Sequence, residues 1–322
     1  MRTVLRTLTV LLLVALLVMT TSRFLDGGPG WTILVASFSS YALFGYVVLL
    51  IVCALLVRGS SQPWLPVLGV VVALVGIVAH TWWLVPMFTA EKAPAGERLT
   101  VMTSNLEFGQ GEAATVVNTV AQRHVDVLVL EEVTPPSLDQ LREAGLDELL
   151  PHHQGRPATY ARGTMVFSRF RLGDARTLPL GNVGLDLTVR APQPFRLIAV
   201  HTWQPVGWPN EWQGDMRELR TLVSAATKQG PTLVVGDFNA TLDHAPLRKV
   251  LGAGVSDAVE QSGSGWQPTW PSADVKKWLR PLIPIDHVLA SKEYVATHTR
   301  TVEVAHTDHF AMVAELVRRK GD

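Results

Sequence analysis

The chain has 322 residues, of which 48% are hydrophobic and 17% charged. That composition excludes a disordered or solvating protein and leans away from an ordinary soluble enzyme. The 28 Lys and Arg balance the 28 Asp and Glu, so no bulk positive field draws in nucleic acid, and the single cysteine, Cys53, excludes an intramolecular disulfide framework or a cysteine-based zinc cluster.

The charge is unevenly spread. Residues 1–97 carry five basic side chains (Arg2, Arg6, Arg23, Arg58, Lys92) and three acidic ones (Asp26, Glu91, Glu97), leaving a slight acidic excess in the remainder. Three apolar runs fill this first part, at 7–22, 31–57 and 64–88. A helix rises about 1.5 Å per residue, so crossing a hydrocarbon layer of about 30 Å takes about 20 residues. The second and third runs reach that length, and the first reaches it only with its flanks. Trp31, Trp64, Trp82 and Trp83 stand near the run ends, where amphipathic rings favour the head-group region.

These runs are expected to be three transmembrane helices within a membrane region spanning 1–90, rather than core helices of a soluble protein. Arg2 and Arg6 ahead of the first run also fit a cleavable signal peptide. No clear A-x-A site follows, so a retained span is the expectation. Either way the C-terminal part emerges outside the cytoplasm, although Arg2, Arg6 and Arg58 inside against Arg23, Lys92 and Arg98 outside give only weak support. Residues 91–98 read as a linker and 99–322 as a catalytic domain in a multi-pass protein of the cell membrane.

From residue 99 the texture changes. β-Branched and apolar runs at 99–106, 125–133, 163–168, 185–190, 195–202, 232–239, 285–290, 299–304 and 310–316 predict strands, and 112–124, 136–144, 211–228 and 244–251 predict helices. Several runs are apolar throughout, which suits strands buried on both faces in sheets covered by helices.

Repeatedly a strand ends in carboxylate, amide or imidazole: Asn105 and Glu107, Glu131 and Glu132, His201, Asp237 and Asn239, Asp308 and His309. In a layered α/β fold such ends converge on one cleft. Carboxylates gathered there repel one another unless a cation sits among them. Oxygen donors without thiolates favour a hard ion, Mg²⁺ or Mn²⁺. Such an ion, ringed by imidazole and amide donors, suits phosphoryl chemistry.

In order along the chain stand Ser104-Asn105-Leu106-Glu107, Leu130-Glu131-Glu132-Val133, Gly163-Thr164-Met165-Val166-Phe167-Ser168-Arg169, Val200-His201-Thr202, Gly236-Asp237-Phe238-Asn239, Pro284-Ile285-Asp286-His287 and Thr307-Asp308-His309. Together they resemble the endonuclease/exonuclease/phosphatase (DNase I-like) superfamily over nearly all of 98–318. The resemblance implies an α/β fold, a four-layered sandwich of two packed mixed sheets flanked by helices. It also implies a Mg²⁺-dependent (or Mn²⁺-dependent) hydrolase of phosphoester bonds.

By the same resemblance Glu132 is the principal metal residue, with Asn105, Asp308 and Glu107 as further metal contacts. His309 is the catalytic histidine and Asp286 its partner, Asp237 activates or positions the attacking water, and Asn239 and His201 hold the phosphate. The sequence departs from the family pattern at Glu131, where Gln is usual, so an added negative charge and greater cation demand are expected. It departs again at Glu107, His287 and Thr307.

Substrate is less legible. Nucleic acid is the first expectation, on the family's prior. The second is a phospholipid head group, favoured by the membrane tether and the Trp-rich loop at 202–212. A non-catalytic membrane sensor or scaffold is the third. The basic clusters at 276–280 and 318–320 read best as solvated or juxtamembrane patches. The bilayer is the partner expected for the N-terminal helices, and no protein partner is inferable.

Overall fold

A computed structural model describes residues 2–57, 64–272 and 280–319. Helix α1 (Arg2–Ser22) is followed by a short helix α2 (Gly30–Ser37), α3 (Ala42–Val57) and α4 (Trp64–Leu84). Three stretches, Val4–Ser22, Ser39–Val57 and Trp64–Phe88, are long and apolar enough to span a membrane. The second differs from its expectation. The run 31–57 is not one helix, because α2 ends at Ser37 and a 3₁₀ turn at Ser39–Tyr41 re-aims the chain into α3. The run is charge-free, but Ser37, Ser39 and Ser40 stand at the bend, and an averaged hydropathy passes over them.

Close backbone approach holds the three long helices together. Gly69, Ala73 and Gly76 form one buried face of α4. A Cβ at Gly69 would meet the Cys53 sulfur at 2.5 Å, and one at Gly76 would meet the Tyr46 ring at 2.6 Å. Such small residues permit tight helix pairing where no hydrophobic force separates helix from lipid. The Thr20 hydroxyl links the spans by bonding both the Tyr46 hydroxyl (2.8 Å) and His80 Nε2 (3.0 Å). His80 thereby satisfies a polar contact between helices.

The remaining chain supplies strands β1 (Arg98–Asn105), β2 (Val127–Glu131), β3 (His152–Gly155), β4 (Met165–Ser168), β5 (Arg176–Leu178), β6 (Gly184–Val189), β7 (Phe195–His201), β8 (Thr232–Asp237), β9 (Val255–Asp257), β10 (Asp286–Ser291), β11 (Tyr294–Glu303) and β12 (Phe310–Arg318). Helices α5 (Ala113–Arg123), α6 (Pro135–Glu143), α7 (Leu146–Leu149), α8 (Pro209–Thr227), α9 (Ala245–Leu251) and α10 (Ala258–Ser262) intervene. Among the described residues the strands form two six-stranded mixed sheets, ordered β11-β12-β1-β2-β4-β3 and β5-β6-β7-β8-β10-β9. The fold is therefore the expected sandwich of two sheets flanked by helices.

Alternation explains the layers. In β2, Val127 and Val129 join the core between the sheets, whereas Leu128 and Leu130 join a second core under α5 and α6. A strand's side chains point alternately to its two faces, so a wholly apolar strand is buried twice. Strands β3, β5 and β9 escaped the sequence reading. All three lie at sheet edges and are short, and edge strands with a solvated side carry no apolar run to detect.

The sheets place the polar ends together. Each sheet holds one parallel pair, β1 with β2 and β7 with β8, crossed over by α5 and α8 respectively. The carboxyl ends of both pairs lie on one edge of the sandwich. Strand β10 runs antiparallel to β8 with Asp286 opposite Asp237, so its first residue arrives at the same edge.

Candidate active site

Local sequence explains how each side chain is presented. In the segment 236–239, Gly236 has φ +144° and a Cβ there would strike the Val200 carbonyl, so only glycine fits between the parallel strands. Asp237 ends β8, Phe238 is fully buried, and Asn239 turns back with φ +48° while its N–H donates to Asp237 Oδ1 (2.8 Å). Asp and Asn favour such a turn, and here it aims both side chains at the cleft. Glu132 follows β2 with φ +60°, and Glu107 and Phe108 follow β1 with φ +43° and +55°. Positive φ outside glycine is uncommon and concentrates where a site over-determines the backbone.

These side chains meet. Asn105 Nδ2 donates to Glu132 Oε1 (3.2 Å) and to Asp237 Oδ2 (3.1 Å), bridging the two sheets. Glu132 Oε2 accepts from the Phe108 N–H at 2.7 Å. His201 Nε2 stands 3.7 Å from Glu132 Oε1 and 3.8 Å from Asp237 Oδ2. His309 Nδ1 bonds Asp286 Oδ2 at 2.9 Å, leaving Nε2 3.9 Å from Asp237 Oδ2 and 3.8 Å from Asp308 Oδ1. Asn239 Nδ2 reaches Asp237 Oδ2 at 3.4 Å. Except for Asp286, which sits fully buried behind His309, every residue singled out for catalysis or metal contact lines a single cleft of about 430 Å³, Glu107 included.

Burial and crowding set the protonation pattern. Burial and the neighbouring Asp286 push the Asp237 carboxyl up to about 7. Burial raises Glu132 against the hydrogen bonds from Phe108 and Asn105, and burial with Asp308 raises Glu107. Burial works against a charged His309, but Asp286, Asp237 and Asp308 outweigh it and hold the imidazole well above its ordinary value. His201, pushed down to about 3 by burial and by His309, is neutral.

A divalent cation fits this donor set. Glu107, Glu132, Asp237 and Asp308 face one cleft, and among the described residues lining it there is no Lys or Arg. Asp237, Asp286 and His309 also offer ligand atoms within 4.8 Å of one another, although Asp286 Oδ2 and His309 Nδ1 are already bonded to each other. Oxygen donors in excess of cations are the chemistry of a hard-ion site.

Three readings are corrected or refined by position. Glu131 does not face the cleft. It is fully buried, its Oε1 accepts from the Thr103 hydroxyl (2.9 Å), and burial with Asp286 holds its carboxyl well above the ordinary value. His287 is structural, bonding Asp257 Oδ2 (2.7 Å) and the Ala240 carbonyl (2.8 Å). The Trp-rich loop divides: Trp212 is buried with its indole N–H on the Phe238 carbonyl, while Trp203 and Trp208 lie with ring centroids 5.1 Å apart at the cleft. Of the basic clusters, 276–279 and Lys320 lie outside the described residues. Arg318 and Arg319 bond the Gln193 and Lys292 carbonyls.

Sequence reasoning missed Asn182, Leu34 and Ser37, which line the cleft as well, alongside Trp270, whose segment resembles one where family members carry substrate-shaping aromatics. Asn182 Nδ2 lies 3.3 Å from His201 Nε2, and the Trp270 indole donates to Asp308 Oδ2 at 2.9 Å. The Gly181-Asn182-Val183-Gly184 turn was a faint signal for Asn182. Nothing local marks Leu34 or Ser37, which belong to α2 between two of the long apolar helices.

Comparison with known proteins agrees with this geometry. The sequence pattern of the endonuclease/exonuclease/phosphatase family matches residues 102–309. Truncated Caenorhabditis elegans TDP2 superposes with a TM-score of 0.57 at 18% identity, covering 68% of this chain and 98% of that one. An endonuclease/exonuclease/phosphatase family protein from Bacteroides thetaiotaomicron gives 0.54 at 16% identity, covering 70% and 100%. Sphingomyelinase C from Streptomyces griseocarneus gives 0.50 at 14% identity, covering 68% and 99%. No curated protein matches in sequence. At such identities the likeness is one of fold.

Proposed function

Because the chain belongs to the endonuclease/exonuclease/phosphatase family, we propose that it is a membrane-anchored, divalent-metal-dependent phosphoesterase that hydrolyses phosphodiester bonds. The observation that carries this reading is the convergence of Asn105, Glu132, His201, Asp237, Asn239, Asp308 and His309 on one cleft. Residues 1–90 form the membrane region, 91–98 the link and 99–322 the catalytic domain, which lies on the extracytoplasmic side.

Glu132, with Asn105, Asp308 and Glu107, would hold Mg²⁺ or Mn²⁺. Such an ion supplies charge stabilisation to the phosphoryl oxygens as negative charge develops. Asp237 orients the attacking water and takes its proton, a role suited to a carboxyl whose pKa of about 7 lies near working pH. His309, cationic and fixed by Asp286 on Nδ1, offers its Nε2 proton to the phosphate or leaving oxygen. Asn239 and neutral His201 give hydrogen bonds to the phosphate without adding charge. Asn105 ties the Glu132 and Asp237 carboxylates into one rigid unit.

Nucleic acid and phospholipid head groups share this chemistry, so a generic phosphodiester tests it first. The purified full chain is expected to hydrolyse bis(p-nitrophenyl) phosphate with Mg²⁺ or Mn²⁺ and to stop with EDTA. Hydrolysis absent with both ions and unaltered by Asp237→Ala would favour the non-catalytic sensor or scaffold. Protease treatment of intact cells tests the orientation, and full protection of the catalytic domain would reverse it.

A further inference from the structure

The connection between the first two membrane spans walls the catalytic cleft. Helices α1 and α3 are antiparallel spans joined by α2, and the catalytic domain follows the far end of α4, so α2 and the domain share one membrane face. Leu34 and Ser37 of α2 line the cleft together with Val206 and Trp208 of the Trp-rich loop. The two segments touch: a Cβ on Gly30 would meet the Val206 carbonyl at 2.5 Å and that of Pro205 at 3.1 Å.

This wall is fastened, not merely adjacent. His244 Nε2 bonds the Ile33 carbonyl (3.0 Å), and Asp243 takes the Ser40 N–H (2.9 Å) and hydroxyl (2.6 Å) while pairing with Arg23. The Tyr41 hydroxyl donates to the Leu282 carbonyl at 2.7 Å. The membrane region is therefore part of the cleft.

The rim and floor differ in chemistry. The floor is carboxylate, amide and imidazole, whereas Leu34, Phe108, Val206 and Trp208 on the rim expose 40–54% of their surface. Trp31, more exposed still, stands three residues before Leu34 on α2, on the same side of the helix. A polyanionic strand needs several Lys or Arg to neutralise its phosphates, and among the described residues the cleft offers none. A lone phosphoester attached to a hydrocarbon chain needs what is present.

We propose that the substrate is a phosphoester carried by a membrane amphiphile, taken from the bilayer surface with α2 and the Trp203–Trp208 loop gripping its apolar root. The proposal rests on the phosphoesterase reading above. Water oxygen bonds to phosphorus, one P–O ester bond breaks, and the proton lost by water ends on the departing oxygen.

The test uses the full chain in phosphatidylcholine vesicles with Mg²⁺. Three probes are compared: hexadecyl p-nitrophenyl phosphate in the same vesicles, ethyl p-nitrophenyl phosphate in solution, and a DNA oligonucleotide. The hexadecyl ester is expected to be cleaved at least tenfold faster than the ethyl ester. The Leu34→Asp/Val206→Asp variant is expected to lose that preference at least tenfold, read as a ratio within the variant so that loss of folded enzyme cancels. Val206→Ser gives the same direction should the double variant fail to fold. Equal rates on the two esters, a preference untouched in the variants, or faster cleavage of DNA would overturn the proposal. No hydrolysis of any probe would instead sink the phosphoesterase reading.

Discussion

Glu131 and Glu132 are consecutive residues with opposite fates. Glu131 closes β2 inside the sandwich, held by the Thr103 hydroxyl, whereas Glu132 turns through φ +60° and presents its carboxylate to the cleft beside Asn105. Burial holds the first well above the ordinary carboxyl range, and the second, raised less, faces the cleft.

Glu131→Gln tests that division. Between the ordinary carboxyl value and the raised one, folded Glu131 keeps a proton that the unfolded chain releases, so the wild-type protein loses stability as pH rises through that window. Glutamine removes this slope. In EDTA, melting temperatures from about pH 5 to about pH 8 are expected to diverge, with the variant the more stable at the upper end. Its Mg²⁺ requirement should stay as it was, and a changed requirement would return Glu131 to the metal site.

Asp237 and His309 face each other across the cleft, their nearest polar atoms 3.9 Å apart. Replacing either (Asp237→Asn or His309→Ala) removes a proton-handling group, a loss worth about 10²- to 10⁴-fold in rate. Circular dichroism is expected to remain native in both. A loss of less than about tenfold in either would take that residue out of the chemistry.

The metal requirement is expected to depend on pH. Asp237, at about 7, holds a proton below neutrality, and the charge of a cation held at neighbouring Glu132 opposes that protonation. Raising pH through 7 removes that competitor, so the half-saturating Mg²⁺ concentration falls by up to about tenfold per unit below neutrality and levels off above it. Titrations of rate against Mg²⁺ at several pH values check this, and a flat dependence would contradict it.

Asp243 carries the clamp between the connection of the apolar N-terminal helices and the sheet domain. Asp243→Ala leaves the buried Arg23 guanidinium without its carboxylate and strips Ser40 of its acceptor. Breaking a buried pair from one side costs about 3–5 kcal/mol. The cost is expected to appear as release of α2, read as faster proteolysis within residues 24–41. Unchanged cleavage there would show that other contacts suffice.

Much of this was legible in the linear chain because the signals are local. Apolar length marks the candidate spans, and short continuous apolar runs mark central strands such as β2 and β8. The ordered polar tips, from Asn105 through His309, announce the family and the residues that gather at the cleft. Three things stayed hidden. The edge strands lack the double burial that writes itself into sequence. The charge of Glu131 depends on which side of a sheet its carboxyl enters. The role of α2 depends on contacts between residues some two hundred positions apart, such as Ile33 with His244.

The sequence by itself therefore determined which residues could do phosphoryl chemistry and which segments are long and apolar enough to cross a membrane. Only the tertiary structure decided that these two facts concern one place, with Leu34 and Ser37 at the same cleft as Asp237. The reason is physical. Hydropathy and motif order depend on near neighbours along the chain, whereas the meeting of a membrane connection with a strand end depends on how two sheets and three helices pack, and no local pattern encodes that.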